Sequence, residues 1–255
     1  ANWKKKSLLF YLYFCVYFFI FVDYFLKGTF DYIHSKGMKA GLWFEIENMG
    51  IKCPLSEEFP DDFFFMMNGT RAIRNTRNCI NFDNPKAYKW AMDLISDRIE
   101  KYDIDYIKND YNVDTGVGNE VNSDSLGDGL LKHNRAFIKW LEELMDKYPH
   151  LTVENCGSGG CRMDYQMLKV CSIQSTSDQT DYRRYPYLAS NVLTSCIPEQ
   201  AAVWAYPVNP SIKEEITDEV VIMNMVNAML GRIHLASYIN KLKPTQIDLV
   251  KEGLR

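Results

Sequence analysis

From about residue 28 the chain settles into a regular pattern. Short apolar runs end in polar residues and alternate with amphipathic stretches whose apolar positions recur three and four apart. Residues 29–36 read as the end of a helix, closed by Gly37 as its C-cap. Residues 40–45 read as a short strand ending in Glu45. Residues 84–102 read as a helix. Asn84 is its cap, Pro85 occupies its first turn, and Tyr88, Ala91, Leu94, Ile95, Ile99 and Tyr102 fall on its buried stripe. A strand over 104–109 and a loop over 114–129 rich in Gly, Asp, Ser and Asn come next. A long amphipathic helix over 130–148 precedes a strand over 151–156 that runs into Gly157-Ser158-Gly159-Gly160. Further strands are expected over 170–176, ending at Ser177-Asp178, and over 233–238, with a helix over 218–231 between them.

A repeated order of strand, polar loop and helix implies a parallel sheet with crossover connections. The ends of these strands carry chemically capable residues: Glu45, Asp110, Cys156 and Asp178. That is the pattern of a (β/α)8 barrel, whose chemistry sits at the C-terminal ends of its strands. No GxGxxG follows the first strand, which disfavours a dinucleotide fold. The 157–160 loop lacks the Lys-Ser/Thr pair that closes a phosphate-binding loop.

One strand end stands out. In Tyr106-Ile107-Lys108-Asn109-Asp110-Tyr111-Asn112, side-chain alternation places Lys108, Asp110 and Asn112 on one face. A carboxylate, a cation and an amide aimed at one point suit a sugar-binding nucleophile. They equally suit a solvated strand end with an ordinary ion pair.

The N-terminus departs from this pattern. Lys4-Lys5-Lys6 precedes an apolar run over 7–22, rich in Phe and Tyr, that Asp23 ends. A positive flank before an apolar run resembles a signal peptide or anchor. The run is short against the ~20 residues a span needs, and no small-residue cleavage site follows it. A segment foreign to the domain is the third reading. The chain therefore divides into 1–27, a hydrophobic segment of uncertain origin, and 28–255, expected to form a partial barrel.

Composition narrows the class. The net charge is −4, without a basic stripe, which argues against a nucleic-acid partner. The seven cysteines are scattered without a CxxC pair, which argues against a zinc site and a disulfide framework. No metal or cofactor is expected. Reduced thiols point to the cytoplasm, with a membrane-anchored or secreted location as the alternative should 7–22 be an anchor or leader. Sixteen Tyr and five Trp suit sugar-stacking surfaces and equally a bulky core.

Four blocks carry a resemblance to the α-galactosidases (melibiases) of glycoside hydrolase family 36. Gly41-Leu42-Trp43-Phe44-Glu45 resembles the family's Gly-Leu-Trp-Phe-Glu strand, and Tyr106 to Asn112 resembles Tyr-Ile-Lys-Trp-Asp-Met-Asn. Glu154-Asn155-Cys156-Gly157-Ser158-Gly159-Gly160-Cys161-Arg162-Met163-Asp164 is similar to Glu-Ser-Cys-x-x-Gly-Gly-Gly-Arg-Phe-Asp. Thr176-Ser177-Asp178-Gln179-Thr180-Asp181 is similar to Thr-Ser-Asp-Asn-Thr-Asp. All four come in the family's order and span 28 to about 240.

The resemblance implies a retaining hydrolase of terminal α-galactosides such as raffinose-type sugars, with Asp110 as nucleophile and Asp178 as acid/base. Lys108 beside Asp110 is expected to lower its pKa and keep it charged. Lys108 and Asn112 are implied to contact sugar hydroxyls, and Cys156 to lie against the galactose ring, or else to be a small buried hydrophobe. Arg77 resembles a binding Arg, or is a solvated loop residue. Trp43 stacks on substrate or plugs the barrel mouth. Arg162 and Asp164 are expected to pair with each other.

The departures are Asn109 and Tyr111 for Trp and Met, Ile46 for Pro and Cys161 for Gly. No Asp-Asp-Gly-Trp strand precedes residue 39, and the family's flanking β-domains are not recognisable. The expectation is a barrel of roughly six of eight βα units, its first two strands unrecognised. Alternatives are an inactive or sugar-binding remnant and an α-N-acetylgalactosaminidase. A homo-oligomer and, through 7–22, a membrane are the remaining partner expectations.

Overall fold

Six short strands, met in chain order, lie side by side in one parallel sheet. They belong to a computed structural model that describes residues 25–113, 116, 118–209 and 215–255. The apolar run 7–22 lies outside the described residues. The strands are β1 (Gly41–Phe44), β2 (Asn48–Gly50), β3 (Met66–Met67), β4 (Thr70–Arg71), β5 (Ile73–Arg74), β6 (Arg77–Cys79), β7 (Tyr106–Asn109), β8 (Thr152–Asn155), β9 (Ile173–Ser175), β10 (Ala201–Ala205) and β11 (Arg232–Leu235). The helices are α1 (25–35), α2 (Leu55–Glu58), α3 (Pro85–Tyr102), α4 (Leu126–Lys147), α5 (Tyr165–Val170), α6 (Tyr185–Val192), α7 (Asp218–Ala228) and α8 (Pro244–Gly253).

The main sheet runs β1-β7-β8-β9-β10-β11. Helices cross over between most of its neighbours, which makes this an incomplete (β/α)8 barrel. Between β1 and α3 the chain leaves the barrel for an antiparallel excursion, the sheet β2-β6-β5 and the hairpin β3-β4.

The helical caps follow from the residues at the boundaries. Asn84 Oδ1 accepts from Lys86 N at 2.9 Å, opening α3 at Pro85, and Ser125 Oγ accepts from Asp128 N at 3.1 Å, opening α4. The helix expected over 130–148 therefore begins four residues earlier, with Gly127 and Gly129 hiding its first turn from a reading of propensity. The strand expected from 170 begins at Ile173. Asp164 accepts from Gln166 N and Met167 N and starts α5, which carries Val170. Strand β10 escaped prediction because Ala201-Ala202-Val203-Trp204-Ala205 has small residues on both faces and no polar alternation.

Alternation along β1, β7 and β8 sorts the side chains. Ile107 and Val153 face the helices and join a buried cluster with Ile95, Ile99, Phe137, Trp140 and Leu144. Trp43, Lys108 and Glu154, paired across the register, face the other side, which is the barrel interior. A second cluster packs Ala201, Val203 and Ala205 of β10 against Tyr185, Val221 and Met225.

A buried ion cluster ties the loop after β1 to the segment after β8. Glu47, 1% exposed, pairs with the Arg162 guanidinium through both carboxylate oxygens. His133 completes the cluster. Phe82 N–H donates to His133 Nδ1 at 3.2 Å, which leaves the proton on Nε2, 3.3 Å from Glu47 Oε1. Burial pushes the Glu47 pKa up, but the Arg162 charge and the hydrogen bonds outweigh it and hold it below the ordinary value. Arg162 thus pairs with Glu47 and not, as the sequence suggested, with Asp164. Asp164 is occupied in capping α5.

Arg162→Met leaves the Glu47 charge buried with one partner and should cost about 3–5 kcal/mol in urea unfolding at neutral pH. Because the folded Glu47 pKa is depressed, its contribution is present above the unfolded value and lost as pH falls through the folded one. The gap between variant and parent should therefore shrink on acidification. A gap that widened would place the stabilising charge elsewhere.

Candidate active site

The ladder of β1, β7 and β8 continues one residue past the strands. Asp110 N donates to Phe44 O at 2.7 Å and Cys156 N to Asn109 O at 2.9 Å. Glu45, Asp110 and Cys156 consequently stand in a row at the C-terminal ends of adjacent strands, on the interior face.

Asp110 is 7% exposed. Its Oδ2 accepts from Trp43 Nε1 at 3.0 Å and from Asn112 Nδ2 at 2.8 Å, and its Oδ1 accepts from Tyr111 N at 2.9 Å. The Cys156 thiol is a further donor to this carboxylate. Burial raises the Asp110 pKa, but the hydrogen bonds from Cys156, Asn112, Trp43 and Tyr111 N outweigh it and hold the group below the usual carboxylate range. The same proximity acts in reverse on Cys156. Burial, then the neighbouring carboxylate, pushes its thiol up to about 11, so it stays protonated as a donor.

Asn112 is the hub of this corner. Its second Nδ2 proton goes to Glu45 Oε1 at 2.6 Å, and its Oδ1 accepts from both Ser158 N and Ser158 Oγ at 2.9 Å. Glu45 Oε2 in turn pairs with Arg77 Nε at 3.2 Å. Arg77 is therefore not a free loop residue. It anchors the far end of a chain that runs from Arg77 through Glu45 and Asn112 to Asp110.

Lys108 shares the face of Asp110 but not its charge. Its Nζ lies 3.5 Å from Glu154 Oε1 and 4.8 Å from the centroid of the Trp204 ring. The Tyr106 hydroxyl donates to the other Glu154 oxygen. The acidity of Asp110 thus comes from neutral donors, and the expected Lys108–Asp110 ion pair is replaced by Lys108–Glu154. Glu154 stands in the same motif as Cys156, but only the parallel register shows that it faces Lys108. Trp43 is 53% exposed: its indole N–H is committed to Asp110 while its ring stays open to the barrel interior.

Asp178 lies just past β9, on the loop reached across the Gly-rich turn, and is exposed. Its environment is unlike that of Asp110. Tyr206, half-buried, is pushed up to about 12 by burial first, then by the neighbouring Tyr185 and by the Asp178 charge. The protein thus brings Glu45, Arg77, Lys108, Asp110, Asn112 and Cys156 together with Trp43, while Asp178 lies on the separate loop after β9, its backbone against the Gly157–Gly160 turn. Among the described residues no group of three or more His, Cys, Asp and Glu side chains is placed to hold a metal ion. No helix among the described residues is long and apolar enough to cross a membrane.

Comparisons with known proteins agree with this architecture. The family model described as Melibiase matches residues 22–249. An α-galactosidase of Escherichia coli is 26% identical over 159 residues, 61% of this chain and 22% of that protein. The Lactobacillus acidophilus α-galactosidase Mel36A is 25% identical over 153 residues, 59% of this chain and 21% of that protein. The chain therefore spans about a fifth of the length of these curated relatives. Among solved structures, the Lactobacillus brevis α-galactosidase superposes with a TM-score of 0.78 at 23% identity, over 90% of this chain and 31% of that one. The α-galactosidase AgaA of Geobacillus stearothermophilus, of glycoside hydrolase family 36, gives 0.76 at 19%, over 89% and 32%. With its six-stranded partial barrel and a family match that runs through nearly all of the described residues, the chain belongs to the melibiase family.

Proposed function

We propose that this chain carries the two catalytic carboxyls of a retaining hydrolase of terminal α-galactosides, with Asp110 as nucleophile and Asp178 as general acid/base. The observation that carries the reading is the difference between the two groups. Asp110 is buried, fixed by donors on both oxygens and held deprotonated, as a nucleophile requires. Asp178 is exposed, on the loop after β9. Structures of AgaA variants hold raffinose and stachyose, which indicates the substrate class.

The chemistry runs in two displacements. An Asp110 oxygen bonds to the anomeric carbon as the glycosidic C–O bond breaks, and the Asp178 carboxyl gives its proton to the departing oxygen. Water then attacks the anomeric carbon, Asp178 takes its proton, and the Asp110 ester bond breaks to return the carboxylate. Trp43 and Asn112 hold Oδ2 in place throughout. Lys108, with its charge balanced by Glu154, is available to sugar hydroxyls. Cys156 supports the nucleophile as a donor.

In the full-length protein Asp110→Ala should lose nearly all turnover of an aryl α-galactoside. Added azide should restore it with formation of the β-galactosyl azide, because azide replaces the lost nucleophile from the opposite face. Normal turnover in Asp110→Ala would sink the assignment. The acid limb of kcat/KM should lie below the ordinary carboxylate range near ~4, since only the deprotonated Asp110 attacks and its pKa is depressed.

Asp178→Ala should lose about 10²-fold or more on substrates with poor leaving groups and far less on activated aryl substrates, which leave without a proton. Equal losses on both would make Asp178 a structural turn residue.

A further inference from the structure

The glycine-rich turn after β8 touches both carboxyl-bearing loops. On one side Ser158, with φ of +46°, presents its N–H and Oγ to Asn112 Oδ1, each at 2.9 Å. With Asp110 and Glu45 on Nδ2, the Asn112 amide has both protons and both lone pairs committed within the protein. It has no capacity left for a sugar hydroxyl. On the other side the turn lies against the backbone that carries Asp178. A Cβ on Gly159 would sit 2.7 Å from Ser177 Cα and 2.8 Å from Asp178 N. One on Gly160 would sit 2.5 Å from the Thr176 carbonyl oxygen, and one on Gly157 3.3 Å from that of Tyr111. Gly159 also has φ of +78°, a conformation that favours glycine. The turn closes on itself, with Gly157 N donating to Gly159 O at 3.1 Å and Cys161 N to Gly157 O at 3.0 Å.

The geometry points to the 157–160 turn, clamped by Asn112, as the spacer that sets the separation of the Asp110 and Asp178 carboxyls. Asn112 is then a positioning residue, not a ligand of the sugar. The inference rests on the catalytic assignment proposed for the two aspartates. Its physical content is that a rigid wedge without side-chain bulk fixes one loop against the other. The separation is what divides the two glycosidase outcomes: ~5–5.5 Å for retention and ~6.5–9.5 Å for inversion. A methyl on Gly159 would force the Ser177–Asp178 backbone from 2.7 Å out to the 3.4 Å at which ordinary contact begins. A misplacement approaching ~1 Å is enough to lower turnover about 10²-fold.

Crystal structures and kinetics of Gly159→Ala and Ser158→Gly in the full-length protein test this, with Asp178→Ala in parallel. Gly159→Ala should widen the carboxyl separation by roughly 0.5–1 Å. It should lower turnover about 10²-fold on a galactoside with a poor leaving group, and much less on an activated aryl galactoside. Ser158→Gly keeps the left-handed backbone and removes only the Oγ contact. It should show the same substrate pattern with a loss of several-fold. An unchanged separation in Gly159→Ala, or equal losses on the two substrates, overturns the spacer. If Gly159→Ala does not fold, Ser158→Gly decides, and an unshifted ratio of the two substrates' turnover overturns it. Should Asp178→Ala lack the leaving-group dependence, the acid/base assignment fails, while the measured separation still decides the spacer.

Discussion

Everything at the site depends on the parallel register of β1, β7 and β8. Trp43, Lys108 and Glu154 are paired across these strands, and one residue further on the ladder hydrogen bonds persist to Asp110 and Cys156. A slip of one residue in β7 would turn Asp110 and Lys108 toward the helices and bring Asn109 inside. The helix-facing residues forbid that slip. Ile107 is buried in the main cluster, and replacing it by Lys108 would put an unpaired cation there. The hydrophobic layer thus enforces the geometry of the polar one.

Several carboxylates are buried or half-buried in this half of the molecule, and each has its own partners, with Asn112 shared between Glu45 and Asp110. Glu47 takes Arg162 and His133, Glu154 takes Tyr106 and Lys108, Glu45 takes Arg77 and Asn112, and Asp110 takes the neutral donors. Without these partners the like charges would be left uncompensated away from water, at a cost to the folded state. The antiparallel excursion between β1 and α3 contributes one of them directly, since Arg77 comes from β6. An insertion that looks peripheral in the topology supplies a cation the site needs.

The legible part of the fold was the part with clear punctuation. Asn84-Pro85 marked α3, Gly37 closed α1, and the polar strand ends marked β1, β7, β8 and β9, because caps and alternation are local signals. Strand β10 was illegible because alanines on both faces erase the alternation, and the excursion 48–79 because its strands are only two or three residues long. At the site the same division holds. The cluster of Lys108, Asp110 and Asn112 on one face follows from period two alone. Their partners do not: Glu47 and Arg162 lie 115 positions apart, and Glu154 meets Lys108 only through the register. Sequence proximity favoured Lys108–Asp110 and Arg162–Asp164, and in both cases a distant carboxylate takes the cation.

That exchange of partners has a chemical consequence for the proposed nucleophile. A nucleophilic carboxylate loses its negative charge on forming a glycosyl ester. A lysine paired directly to it would stabilise the carboxylate before attack and lose its partner afterwards, an interaction stronger in the ground state than in the transition state, which opposes catalysis. Neutral donors such as the Trp43 indole, the Asn112 amide and the Tyr111 N–H leave no unpaired charge behind when that of the carboxylate disappears, because each can still hydrogen-bond a neutral ester oxygen. Lys108 is paired instead with Glu154. The arrangement holds the Asp110 pKa below its ordinary value without tying the group to a counter-ion.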